Sequence, residues 1–386
     1  MKIVIAPDSF KESLTAKQVC VAIERGFRDI FPMASYEHLP LADGGEGTVD
    51  VLTLGLNGSW KVSLVDGPTG VKTYAKWSLL DEGKTALIEV AAASGLDLLL
   101  PSERNPMITS TYGTGELLRH ALDAGVEKIL LGLGGSATND GGAGIVQALG
   151  GMLLDNNGDE LEKGGAALEQ LASINLENIH PRCRSVQLIV ACDVSNPLCG
   201  ESGASRVYGQ QKGANDEMIA ALDKALENFA RVSSSYQHAD PISQPGFGAA
   251  GGTPLGLSLL FNMEMKSGIE MVLDTLNADE LIKDADLIIT GEGQMDNQTL
   301  QGKTPFGIAK RAHARGIPVI GVAGSLGQEV DELYSRIDPL FGTVRAPQTL
   351  ENVLEEAEKN VTRTSRNIAS AIRLGMCFAS VEVSNE

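Results

Sequence analysis

Cysteine is scarce and scattered. The five thiols, Cys20, Cys183, Cys192, Cys199 and Cys377, form no CxxC pair and no Cys/His cluster with zinc spacing. That removes zinc ribbons and fingers from consideration, and an odd, dispersed set fits free thiols in a reducing compartment. Histidine is equally rare. None of His38, His120, His180, His238 and His313 stands on a glycine turn, and no serine or cysteine nucleophile arrangement is present, so acid–base chemistry falls to carboxylates. Positive charge is in deficit: 31 Lys and Arg face 50 Asp and Glu, for a net charge of −19. A field of that sign repels phosphate backbones, which argues against a nucleic-acid partner. It also leaves any anionic substrate to a few local cations and backbone N–H groups. No apolar run approaches the roughly 20 residues that span a bilayer. The opening MKIVIAPDS is too short an apolar run for a signal-peptide core. A cytoplasmic protein without a membrane partner is expected, and a homo-oligomer is compatible with this composition.

What is abundant is glycine, 44 of 386 residues, with no three-residue period. The glycines cluster between apolar runs, where backbone turns sharply or approaches a ligand closely. The length predicts two domains. Strand-like and helix-like segments alternate, the signature of an α/β fold. KIVIA at 2–6 reads as a buried parallel strand. A helix follows from Thr15, whose spacing to Gln18 is that of a capping box, and Val19, Ala22, Ile23, Phe27 and Ile30 mark one face. Residues 60–66 and 73–80 alternate apolar and polar around the turn Asp66-Gly67-Pro68-Thr69-Gly70 and predict an antiparallel hairpin. The C-terminal part returns to the texture of the N-terminus. The expected organisation is a Rossmann-like parallel-sheet α/β domain, residues 1–57 and 272–386, interrupted by an inserted mixed α/β domain, residues 58–271.

Five segments share one design, in which an apolar strand runs into glycine or a small residue, then a polar side chain. They are Asp8-Ser9 with Lys11, Asp43-Gly44-Gly45-Glu46-Gly47, Gly132–Gly144, Gly291-Glu292-Gly293 with Asp296, and Gly324-Ser325. In open parallel sheets ligands bind outside the carboxyl ends of the strands, where helix N-termini favour anions. All five are expected to be loops at such ends. The richest, Gly132–Gly144, carries Ser136, Thr138, Asn139 and Asp140 and suggests phosphate cradling. Two rival readings of glycine motifs are weak. Gly302-Lys303-Thr304 ends like a Walker A loop, but residue 297 is asparagine where that loop needs glycine. Gly132-Leu133-Gly134-Gly135-Ser136-Ala137 fits a loose dinucleotide fingerprint, with Asp155 beyond it, and keeps an NAD-dependent dehydrogenase of a hydroxy-acid as an alternative. A non-catalytic small-molecule-binding protein is the other. Phosphoryl transfer needs cations and magnesium to offset charge and a carboxylate to take the proton of the attacking hydroxyl. Lys11 and Asp8 lie just past the first strand, and Asp43, Asp193 and Asp296 at or just past later ones.

The longer stretches KIVIAPDSFKESLTA (2–16), LADGGEGT (41–48), TYGTGELL (111–118), GLGGSATNDGGAGIVQALG (132–150), ACDVSNPLCG (191–200) and TGEGQMDNQTLQGKTPFGIA (290–309) occur in one order over nearly the whole chain. In these the sequence resembles the two-domain bacterial glycerate kinase family of glucarate, galactarate and glyoxylate metabolism. Phe10 stands where tyrosine is also expected. The resemblance implies ATP-dependent phosphorylation of D-glycerate to 2-phosphoglycerate, with Mg2+. On that footing the substrate-binding candidates are Asp8, Ser9, Lys11, Asp43, Gly44 and Gly45. The ATP-binding candidates are Gly134, Gly135, Ser136, Thr138, Asn139 and Lys303. Lys11, Asp193 and Asp296 are the catalytic candidates, the two aspartates serving as base and metal-linked carboxylate without a division between them.

Overall fold

A computed structural model describes residues 1–44, 47–236 and 240–383. They fall into two compact units, Met1–Asp43 with Ile269–Glu386, and Gly44–Gly268. Strands are numbered along the chain.

The first unit holds β1 (Lys2–Pro7), β2 (Ser35–His38), β11 (Leu287–Met295), β12 (Val319–Leu326) and β13 (Leu340–Gly342). They form a five-stranded sheet in the order β13-β12-β11-β1-β2, and every pairing is parallel. Beyond Lys2, β1 is apolar and buried, as a strand covered on both faces must be. The helix Ala16–Arg28 starts as its sequence requires. Thr15 Oγ1 accepts from Gln18 N (3.3 Å), and the Gln18 side chain accepts from Thr15 N (2.9 Å). Its face of Val19, Ala22, Ile23 and Phe27 packs with Ile3, Ile5, Ile289 and Val361 in this unit's core. The final helical stretch is divided at Glu356 into Leu350–Glu355 and Ala357–Val383.

The second unit holds β3 (Ser59–Asp66), β4 (Lys72–Leu80), β5 (Thr85–Glu89), β6 (Lys128–Gly132), β7 (Met152–Leu154), β8 (Ser173–Asn175), β9 (Gln187–Ala191) and β10 (Met263–Lys266). Six of them make a mixed sheet, β10-β9-β6-β5-β4-β3. The expected hairpin is its antiparallel edge, with Ser59 opposite Leu79 and Asp66 opposite Lys72. β5, β6, β9 and β10 run parallel. β7 and β8 form a separate antiparallel pair.

Two of the five expected glycine turns are not turns. Gly291-Glu292-Gly293 lies inside β11, and Gly324-Ser325 inside β12. Glycine serves close approach there. A Cβ on Gly291 would sit 2.1 Å from the Val322 carbonyl oxygen, and one on Gly324 would sit 2.4 Å from that of Gly293. Among the described residues no helix is long and apolar enough to cross a membrane.

Candidate active site

In the first unit the chain passes from β1 to β2 on one side, while β11, β12 and β13 extend from β1 on the other. Such a reversal opens a crevice at the carboxyl ends of the two central strands. Asp8 leaves β1 at that point, its N–H bonded to the Gly291 carbonyl of β11 (2.8 Å). Its Oδ1 accepts from Ser9 N (2.6 Å), and its Oδ2 accepts from Thr304 Oγ1 (2.5 Å). Burial nevertheless pushes the Asp8 carboxyl above its usual range, and the nearby Asp43 charge adds to the shift. Glu292 faces the same crevice from β11. Burial raises its carboxyl to about 7, opposed by the hydroxyl of Thr299, which donates to Oε1 (2.7 Å), and by the charge of Lys303. The Lys303 ammonium stands 3.8 Å from Oε2. The result is a cleft of about 550 Å3 whose polar end holds Asp8, Ser9, Lys11, Asp43, Glu292 and Lys303. Two cations and a carboxyl titrating near neutrality, at a strand-end crevice, can bind an anion and accept a proton from a hydroxyl.

Asp296 is not part of that lining. It caps the short helix Asn297–Gln301, with Oδ1 accepting from Gln298 N (2.9 Å) and Oδ2 from Gln294 Nε2 (3.1 Å).

The second unit gathers the remaining candidates, apart from Gly45, which lies outside the described residues. Asp193 follows β9 and is exposed; its Oδ1 accepts from Gly268 N (2.9 Å). Gly44, at φ +91°, lies against Gly268 so tightly that a Cβ would come within 2.4 Å of the Gly268 Cα. Only glycine fits that conformation and that gap.

The long glycine segment runs from the end of β6 to the helix Ala143–Ala148. A dinucleotide fingerprint needs its helix to open within the motif; here it opens at Ala143, beyond it. Ser136, Thr138, Asn139 and Asp140 are buried, while Gly134 and Gly135 are exposed. The segment therefore turns its side chains inward and presents backbone. Lys212 explains part of this. It is 2% exposed and donates to Ser136 Oγ (2.9 Å) and to the Thr138 carbonyl (2.7 Å). Burial pulls its ammonium down to about 7, with Asp140 pulling the other way. Thr138 Oγ1 and Asn139 Oδ1 are buried without a hydrogen-bond partner among the described residues.

Sequence reasoning missed Glu292 as a cleft residue, the hydroxyls of Thr299 and Thr304 that donate to Glu292 and Asp8, and Lys212 behind the glycine segment. Glu292 carried one usable signal, a carboxylate between two glycines on an apolar strand. Lys212, in the polar run QQKGAN, carried none.

Among the described residues no group of three or more His, Cys, Asp or Glu is gathered as a metal cage. Magnesium held on a nucleotide needs only one or two carboxylates, because phosphate oxygens and water fill its other positions. The carboxylates at these strand ends are oxygen donors of that hardness.

A charged crevice at the carboxyl ends of parallel strands is where proteins of the α/β class bind small molecules. The chain belongs to the glycerate kinase family, which it matches over residues 3–373. It is 49% identical to a glycerate kinase of Bacillus subtilis strain 168, over 97% of this chain and 98% of that one. It is 48% identical to a glycerate 2-kinase of Escherichia coli K12, over 97% and 99% of the two chains. A crystal structure from Salmonella typhimurium LT2, provisionally named glycerate kinase 2, superposes with a TM-score of 0.89 at 48% identity, covering 97% of this chain and 99% of that one. The mixed α/β fold expected from the sequence is thereby shared with a solved relative.

Proposed function

We propose that this chain transfers the γ-phosphoryl group of ATP to D-glycerate, giving 2-phosphoglycerate and ADP, with Mg2+ on the nucleotide. The observation that carries the reading is the cleft at β1 and β11, where Glu292 titrates near 7 beside two lysines. The choice of glycerate follows the names of the relatives, and that of its 2-hydroxyl follows the Escherichia coli glycerate 2-kinase alone.

Lys11 pairs with the glycerate carboxylate, and Asp8, Ser9 and Asp43 order its hydroxyls. Glu292 removes the proton from the attacking hydroxyl. The oxygen then forms a bond to the γ-phosphorus as the bond to the β-phosphate oxygen breaks, and ADP departs with that electron pair. In the first unit Lys303 balances triphosphate charge; in the second the exposed backbone at Gly134 and Gly135 is the phosphate-binding candidate, and the buried Ser136, Thr138 and Asn139 shape that loop from behind. Magnesium offsets charge on the phosphate oxygens when bound; Asp193 and Asp296 are the carboxylates assigned to it. We also propose that the unit Gly44–Gly268 is an insertion into a Rossmann-like domain.

ADP release that depends on both glycerate and magnesium tests the reaction. A chain that reduces NAD with a hydroxy-acid, or binds glycerate without turnover, would overturn it. Lys11→Met is expected to raise KM for glycerate tenfold or more, the scale of one charge-assisted hydrogen bond. An unchanged KM would remove Lys11 from the acceptor site. Asp193→Asn and Asp296→Asn are each expected to lower kcat and to raise the magnesium concentration needed for half-maximal rate. If both keep wild-type magnesium dependence and rates within a few-fold, neither serves the metal.

A further inference from the structure

The cleft of the first unit is larger and less uniform than a three-carbon acid requires. Its volume of about 550 Å3 lies in the range of pockets that bury whole drug-sized ligands. Beyond the lysines and carboxylates it continues between the segment after β13 and the helix Leu350–Glu355, where Val344, Leu350, Val353 and Leu354 line it. Leu350 is 68% exposed and Val344 38%, so the chain leaves these apolar side chains uncovered at the mouth of a cleft. The wall is fixed to the sheet. Thr343 N donates to the Ala323 carbonyl (2.9 Å), its hydroxyl to that of Gly324 (3.2 Å), and Arg363 to the Thr343 carbonyl (2.8 Å). Set in this arm is Gln348, whose amide nitrogen is buried and has no hydrogen-bond partner among the described residues. A buried donor left unmet is unfavourable, and such groups in native proteins call for a specific partner.

A cleft charged at one end and apolar at the other, with a lone amide donor in the apolar part, matches a ligand of the same polarity. A nucleoside triphosphate is one: anionic at the phosphates, flat and apolar at the base, with ring nitrogens that accept hydrogen bonds. Glycerate, charged at one end and hydroxylated along the rest, has nothing to place in the apolar arm. We infer that the arm formed by Val344, Gln348, Leu350, Val353 and Leu354 seats the purine of the phosphoryl donor, with the Gln348 amide donating to a ring nitrogen. The inference rests on the reading of the chain as an ATP-dependent kinase and adds to it where the base sits.

The test uses the full chain and two variants, Gln348→Ala and Leu354→Trp, the second filling the arm. Both are expected to raise KM for ATP about tenfold or more and to weaken fluorescent mant-ADP in parallel, while KM for glycerate stays within about twofold. Tripolyphosphate, which lacks a base, should inhibit wild type and variants alike. In the wild type, 8-azido-ATP should photolabel a peptide within 343–357. Unchanged ATP KM and mant-ADP affinity in the folded variants, a rise confined to glycerate, or labelling only within 44–268 would overturn the seat. If Leu354→Trp does not fold, Gln348→Ala and the wild-type labelling decide. Mant-ADP binding that the variants lose, without any glycerate-dependent ADP release, would leave the seat standing and refute the kinase reaction instead.

Discussion

Replacing Asp140 by alanine is expected to cost about 3–5 kcal/mol, enough to unfold much of the second unit at ambient temperature. Asp140 is fully buried, and five donors converge on its carboxylate. Oδ2 accepts from Thr111 N (2.8 Å), Thr111 Oγ1 (2.9 Å), Gly144 N (3.2 Å) and Ser110 Oγ (3.3 Å), and Oδ1 from Gly142 N (3.1 Å). Burial raises its carboxyl above the usual range, and the hydrogen bonds from Thr111, Gly144 and Gly142 offset only part of that. Alanine would strand all five donors in a buried site, and would remove the Asp140 charge that favours the Lys212 ammonium. Removing one member of a buried charged network costs on the order of 3–5 kcal/mol, against a total stability of about 5–15 kcal/mol for a typical protein. Asp140→Asn should also destabilise, because its amide turns a donor toward donors. Urea unfolding followed by circular dichroism checks both. An alanine variant within about 1 kcal/mol of wild type would show that the loop is held by something else.

Asp140 also marks how far sequence reading reaches. The loop's glycines and polar residues advertise a ligand site, but the composition is equally what a tightly folded connection needs. A Cβ on Gly142 would sit 2.6 Å from the Thr253 carbonyl, and one on Gly144 would sit 2.3 Å from Ser110 Oγ. Those neighbours come from distant parts of the chain, so no local pattern could separate the two uses. The same holds for Lys212, whose partners lie 76 and 74 residues away. What was legible is local: the Thr15–Gln18 cap, the buried run of β1, and the alternation that makes β3 and β4 a hairpin edge. Gly291 and Gly324 were misread as turn residues because a strand glycine chosen for a neighbour's carbonyl looks identical in sequence to one chosen for a bend.

Glu292 is where packing and chemistry oppose each other. The helix start at Lys303-Thr304 and the β1 terminus crowd its carboxyl, and loss of water raises its titration from 4.5 to about 7. Between those values the folded chain holds a proton that the unfolded chain has released. The stability this group contributes is whole below pH about 4.5 and is lost as pH rises through about 7. The full loss is roughly 3 kcal/mol. A chain that keeps a glutamate here gives up stability near neutrality, and a residue tuned to the working pH is what a general base requires.

Glu292→Gln separates the two consequences. Glutamine keeps the shape, and its carbonyl can still accept from Thr299 Oγ1, but it cannot take a proton. At pH 8 the variant should unfold at a higher temperature than wild type by several degrees; at pH 4.5 the two should coincide. Its kcat for glycerate-dependent ADP release should fall by about 10²–10⁴, the range for loss of a general base. Wild-type kcat should climb with pH to a plateau above about 7, and that rise should vanish in the residual activity of the variant. Retention of wild-type rate with the rise intact would move the base elsewhere in the cleft, to Asp8 first, whose carboxyl burial also raises. Loss of rate without stabilisation at pH 8 would mean that Glu292 sits ionised in the resting chain, held by Lys303, and acts by charge rather than by taking the proton.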